Sequence, residues 1–141
     1  MSKWYGSIEN RLEENQNLNC EKVVGGLLTE FGWSDRHPYE IVRVDNQKHI
    51  FIRELGHKKA DNDQYSNNWE LYSDESNPIK ELVYRNNSWK YVLRYTKDSI
   101  KNLIFIDQKI YDKLQKSDEV VKYVKANIAF GYADYYYDYS F

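Results

Sequence analysis

The chain of 141 residues sets 20 Lys and Arg against 22 Asp and Glu, a formal charge of −2, and 16% of it is aromatic, mostly as 14 Tyr and 4 Trp. That length is one domain, 1–141, with room for a core that needs no staples, and the near-neutral balance lacks the basic excess of a protein that grips long nucleic acid by releasing counterions. Cys20 is the only cysteine, so neither a disulfide framework nor a thiolate metal cluster can form within one chain, and a reducing cytoplasm fits best.

The N-terminal MSKWYGSIENRLEEN is polar, with no apolar run long enough for a signal peptide or membrane span, so the chain is expected to stay where it is made. Within it, Ser7 caps a short predicted helix to Glu14, with Ile8 and Leu12 on one face. From Glu21, EKVVGGLLTEFGW turns apolar and is broken by Gly25-Gly26, which predicts a kinked first strand. In YEIVRVD, β-branched residues alternate with charged ones. DNQ follows as a turn, and KHIFIRE sets Ile50 and Ile52 against His49, Phe51 and Arg53, completing a hairpin. LGHKKADNDQYSNN lacks periodicity and reads as a loop with a basic start at His57, Lys58 and Lys59. Three more strands are predicted: NWELYS, IKELVYR after the DESNP turn, and SWKYVLRY after Asn86-Asn87. In the last, Trp89, Tyr91, Leu93 and Tyr95 share a face that is either core or platform. Beyond Tyr95 the spacing turns helical, with Ile110 and Leu114 on one turn, Val120 and Val121 with Val124 on another, and a helix start at Ser117. NLIFI before them reads as a strand. NIAFG after them returns to the sheet and delivers the chain into YADYYYDYSF. The expected class is α+β, mainly antiparallel sheet with short helices.

SDRHPY, Ser34 to Tyr39, gathers a hydroxyl, a carboxylate, a guanidinium and an imidazole between two predicted strands. Neighbouring strand residues point to opposite faces, so these letters are not by themselves a triad. Two readings stand: a polar turn in which Asp35 bonds local backbone, or a loop in which Arg36 offers its guanidinium fork to phosphate or carboxylate oxygens. His37, His49 and His57 lack zinc-type spacing, so no metal site is expected. Asp134 and Asp138 lie four apart and would align only on a helix, which gives carboxylate-pair hydrolysis little support. No GxGxxG, P-loop or nucleophile elbow occurs, and neither a catalytic residue nor a cofactor is expected. Trp69, Trp89, Tyr91, Tyr95 and the tail offer stacking partners for a base, while Arg36, Arg53, Lys58 and Arg85 offer phosphate partners. Together they suit a nucleotide-like ligand, although the plainer reading of any single ring is packed core.

SDRHPY, QKHIFIRE, NNSWKY, NRLEEN and above all the terminal FGYADYYYDYSF resemble the Thoeris anti-defence protein 1 family of small phage proteins, which carry a DRH-type motif early and a YYD-x-S-F end. The similarity spans most of the chain except Lys97 to Ala126, so that stretch looks like a helical insertion before the C-terminal strand. The resemblance implies a twisted antiparallel sheet with small helices, paired as a homodimer or higher oligomer in the host bacterial cytoplasm. It implies sequestration, without cleavage, of cyclic ADP-ribose isomers made by bacterial TIR-domain immune enzymes, and in some relatives cyclic oligonucleotides held at separate sites. Arg36 matches a phosphate-binding arginine. A second arginine is implied shortly after the glycine of the C-terminal segment, whereas here Gly131-Tyr132 is followed by Ala133. The ligand-binding residues expected are Arg36, His37, Arg53, Lys58, Asn87, Trp89, Tyr132, Tyr135 and Tyr137, with the tail docked across a partner subunit and walling the pocket. The rival classes are a protein-binding inhibitor or phage accessory factor that uses its aromatic surface, and a nucleotide-degrading enzyme.

Overall fold

Runs in which β-branched and aromatic residues alternate with charged ones fit a pleated surface with one face buried, and they become the strands of a computed structural model that describes residues 20–102 and 107–139. These are β1 (Leu27–Phe31), β2 (Arg36–Asn46), β3 (His49–Glu54), β4 (Gly56–Lys59), β5 (Trp69–Tyr72), β6 (Ile79–Arg85), β7 (Ser88–Thr96), β8 (Glu119–Lys125) and β9 (Ile128–Phe130), with a 3₁₀ turn at Ser99–Asn102 and one helix, α1 (Gln108–Leu114). Seven strands make one antiparallel sheet in the order β8-β7-β6-β3-β2-β1-β9, and β4 pairs with β5 as a separate ribbon.

The two edges of that sheet are joined by almost no chain. β8 pairs with β7 at one edge, β9 pairs with β1 at the other, and only Ala126 and Asn127 lie between them. The Ala126 N–H still donates to the Trp89 carbonyl (2.9 Å), while the Asn127 carbonyl accepts from the Phe31 N–H (2.8 Å). One extended stretch serves both edges, so the sheet must curl until they meet. Inside the curl, period-two alternation gathers Leu28, Tyr39, Ile41, Ile50, Ile52, Leu82, Trp89, Ile128 and Phe130. A smaller cluster forms where Ile110 and Leu114 of α1 pack on Val120 and Tyr95. Asp107 caps α1 by accepting from the Lys109 N–H (2.8 Å), and so short a helix depends on that docking.

Several expectations are corrected. Val120, Val121 and Val124 lie in β8, not on a helix, because a β-branched run beside the open edge of β7 gains a full ladder from Thr96↔Glu119 to Lys90↔Lys125. Among the described residues, the stretch from Lys97 to Ala126 therefore holds a 3₁₀ turn, one short helix and a strand. The first strand starts at Leu27 rather than Glu21. Before it, the Gly26 N–H donates to the Val23 carbonyl (2.9 Å) and Gly25 takes a φ of 90°, a left-handed turn open to glycine. GHKK, expected in a loop, forms β4. The β2–β3 turn falls at Gln47 and Lys48 rather than over DNQ, since Asn46 still pairs with His49. Asn86 and Asn87, at φ 53° and 64°, make the expected tight β6–β7 turn. The predicted helix at Ser7 and most of NLIFI lie outside the described residues. Among the described residues, no helix is long and apolar enough to cross a membrane.

Candidate functional site

After Gly131 the chain leaves β9 and runs back over the outer face of β1 and β2. Thr29, fully buried, donates from Oγ1 to the Tyr132 carbonyl (2.8 Å) and accepts from the Asp134 N–H (3.1 Å). Arg36 and Tyr136 exchange backbone hydrogen bonds, 3.0 Å in each direction. Two hydrogen bonds to side chains complete the clasp. Arg36 Nη1 donates to Asp134 Oδ2 at 2.8 Å, and the Asp138 N–H donates to Asp35 Oδ1 at 2.9 Å. The start of β2 and the tail, with Arg36 and Asp134 98 residues apart, thus form one clamp.

Alternation along the extended tail sends Tyr135 the other way, against the β4–β5 ribbon. Its ring stacks on His57 (3.8 Å between centroids, 13° between planes), meets Trp69 edge-on at 4.7 Å and lies 6.0 Å from His37. His57 and Trp69 sit diagonally across the ribbon, 5.1 Å apart, within reach of each other as such pairs are. Farther along, the Asn67 amide donates to the Tyr137 carbonyl (3.2 Å) and accepts from the Tyr137 N–H (2.9 Å). Lys59 Nζ donates to the Tyr139 hydroxyl (2.7 Å) and to the Ser66 carbonyl, 4.5 Å from the Trp69 ring. Burial pushes the Tyr135 phenol up, with the Asp35 charge adding to it, so the hydroxyl stays neutral. The tail therefore packs in part on its own chain, with Tyr132, Tyr136 and Tyr137 left 39–46% exposed.

The expected ligand residues divide into two groups. Arg36, His37, Tyr135 and Tyr137 come together in the clamp, and Tyr132 sits at its start, half exposed. Arg53 is on the same outer face, about 13 Å along β2 from Arg36 by strand rise, because it pairs across to Glu40 (3.2 Å). Its Nε is buried without a partner among the described residues. Lys58 points outward to Glu70 (3.4 Å). Trp89 is 4% exposed, packed on Phe130 in the core. Asn87 lies in the β6–β7 turn beside the β2–β3 turn, where the Tyr84 N–H donates to the Lys48 carbonyl (2.8 Å). That is the opposite end of β2 from Arg36, so neither Asn87 nor Trp89 joins the clamp.

Electrostatically the clamp is balanced rather than basic. The hydrogen bond to Asp134 raises the Arg36 pKa above its ordinary value, and the expected cations Arg36, Arg53 and Lys58 each already face a carboxylate. An anionic ligand must take Arg36 from Asp134. What the site offers is contact: an indole and two imidazoles within 6.0 Å of the Tyr135 ring, and, on the other side of the tail, a guanidinium 5.6 Å from the Tyr136 ring and 6.0 Å from that of Phe31. Among the described residues, no group of three His, Cys, Asp or Glu is arranged to hold a metal ion.

Sequence reasoning passed over Thr29, Asn67 and Trp33. The first two act through backbone partners in the tail, which no local pattern reveals. Trp33 stands at the corner of the β1–β2 turn, closed by the Gly32 N–H on the Asp35 carbonyl (2.9 Å), and is 95% exposed. Its only sequence signal was an indole placed in a tight FGWSD turn. No family model matches the chain, and neither does any curated protein or solved structure.

Proposed function

We propose that this protein sequesters a cyclic ADP-ribose-type immune signal without hydrolysing it, as a phage anti-defence protein acting in the host bacterial cytoplasm. The observation that carries the reading is the clamp, in which the tail brings Asp134 and the Tyr136 ring to Arg36 on one side and Tyr135 to His57 and Trp69 on the other. A purine stacks on such rings, and a pyrophosphate takes the guanidinium fork in place of Asp134. The likeness of SDRHPY and of the Tyr-rich end to the Thoeris anti-defence protein 1 family supports the same conclusion. In that reading the working form is a homodimer or higher oligomer.

The test is to incubate the protein with cyclic ADP-ribose isomers, filter, heat the retained protein and chromatograph what is released. The expected result is depletion from the filtrate and return of intact ligand on heating, with retention lost in Arg36→Met. A released product in place of the ligand means an enzyme. No depletion supports the second reading, a protein-binding factor, which is favoured by the single observation of Trp33 fully exposed in the turn before Arg36. Aromatic anchors of that kind dominate protein interfaces.

A further inference from the structure

Past Glu81↔Val92 the ladder between β6 and β7 stops, although β6 stays paired with β3 as far as Ile79 and β7 with β8 as far as Thr96. The two halves of the sheet part there, and between them opens a cavity of about 480 Å³. Its walls are largely apolar: Phe51 and Ile79 on the β3–β6 side, Val92 and Val124 on the β7–β8 side. The volume lies in the range of small-molecule sites.

Lys80 stands in that wall. Its Nζ donates to the Tyr39 hydroxyl at 2.7 Å and lies 5.1 Å and 5.5 Å from the rings of Tyr39 and Tyr91. No carboxylate of the described residues comes within ion-pair distance of it, because the nearby ones are engaged elsewhere. Glu30 accepts from the Tyr91 hydroxyl, Glu54 faces His37 at 3.6 Å, and Glu81 is held by Arg94 and His49 at 2.9 Å and 2.7 Å. Arg94, at the rim, also takes Glu119 (3.1 Å). Burial works against the Lys80 ammonium, but the Tyr39 bond and the field of Glu30 and Glu54 outweigh it, so the pKa is raised and the charge persists. A half-buried cation whose acceptor is a neutral phenol is an incomplete ion pair.

We infer that this cavity is a binding site, separate from the clamp, for a small amphipathic carboxylate whose apolar body lies between β6 and β7 and whose anion rests on Lys80. Glu81 lines the space and Glu30 is bonded to Tyr91 of its wall, and these charges disfavour a dianion, which selects a single negative charge on an apolar body.

The full chain is titrated with decanoate by isothermal calorimetry, with decylamine as the charge-reversed control. Decanoate is expected to bind saturably and one-to-one, and decylamine not at all. Lys80→Met keeps the length of the side chain without its charge and should weaken decanoate by about tenfold or more, the cost of a charge-assisted contact. Val124→Trp, at a position 39% exposed, should abolish binding by filling the cavity while leaving cyclic ADP-ribose retention unchanged. If Lys80→Met fails to fold on a thermal melt, Val124→Trp decides. Absent saturable decanoate binding, equal affinity for decylamine, or decanoate binding untouched in Val124→Trp each overturns the assignment.

Discussion

Replacing Tyr135 with alanine removes the centre of the clamp in one step. The ring has two close aromatic neighbours, His57 at 3.8 Å and Trp69 at 4.7 Å, and a distant one in His37. Each close pair contributes about 0.5–1.5 kcal/mol beyond area burial. The site is only partly buried, so the transfer and cavity loss is well below the ~3–5 kcal/mol of a core aromatic truncation. The sum is about 2–3 kcal/mol, and at ~3–5 °C per kcal/mol for a domain of this size the melting midpoint falls by about 6–15 °C. Tyr135→Phe retains the ring and removes a hydroxyl that has no hydrogen-bond partner among the described residues, so it should stay within about 0.5 kcal/mol of the parent. Urea unfolding followed by circular dichroism measures both variants. Hydrogen exchange at the Tyr136 and Asp138 amides reports whether the tail has come loose. A Tyr135→Ala protein as stable as its parent, with those amides still protected, would mean that the rings do not hold the tail, and the clamp as argued fails.

Two further outcomes are expected. Asp134→Asn releases Arg36 from its carboxylate and should tighten cyclic ADP-ribose binding by up to about fivefold, the scale of an exposed ion pair, as read by calorimetry; weaker binding would show that Asp134 positions Arg36 instead of competing for it. The hydrogen bonds from Arg94, opposed by burial and aided by His49, hold Glu81 below the ordinary carboxylate range. A pKa depressed on folding contributes stability above the unfolded value of about 4.3 and loses it as pH falls through the folded one. Urea midpoints of the parent should therefore drop as pH is lowered from about 5 towards 3, and drop less in Glu81→Gln; parallel pH profiles would remove Glu81 from the acid response.

β2, β3, β5, β6 and β7 were legible because each alternates apolar and polar residues and each is bounded by a turn signal. β8 was not, and Val120 and Val124 show why: a spacing of four shares a face on a strand as well as on a helix. Val121, 36% exposed while Val120 is 8% exposed, separates the two only once β7 offers its edge. In the site, residue chemistry singled out Arg36 and the tail rings, and the fold sets Arg36 beside Tyr136. It selected Trp89 and Asn87 equally well, since nothing local distinguishes a ring aimed at the core from one aimed at the tail. The pairing of Asp35 and Asp134 with partners at the other end of the chain could not be read at all, because it exists only after the sheet has curled.

The shared strand from Glu119 to Phe130 also fixes when the molecule becomes competent. β1 waits for a mate translated after the other described strands of the sheet, with Leu28 opposite Phe130, and long-range closures of this kind are slow steps in assembly. The Tyr-rich end hangs from that same strand, so a partly assembled chain has no clamp and, on the function proposed above, no ligand site. By the same linkage, a metabolite held between Arg36 and the tail would bolt that seam of the sheet from outside, and saturation should protect strands far from the ligand against unfolding.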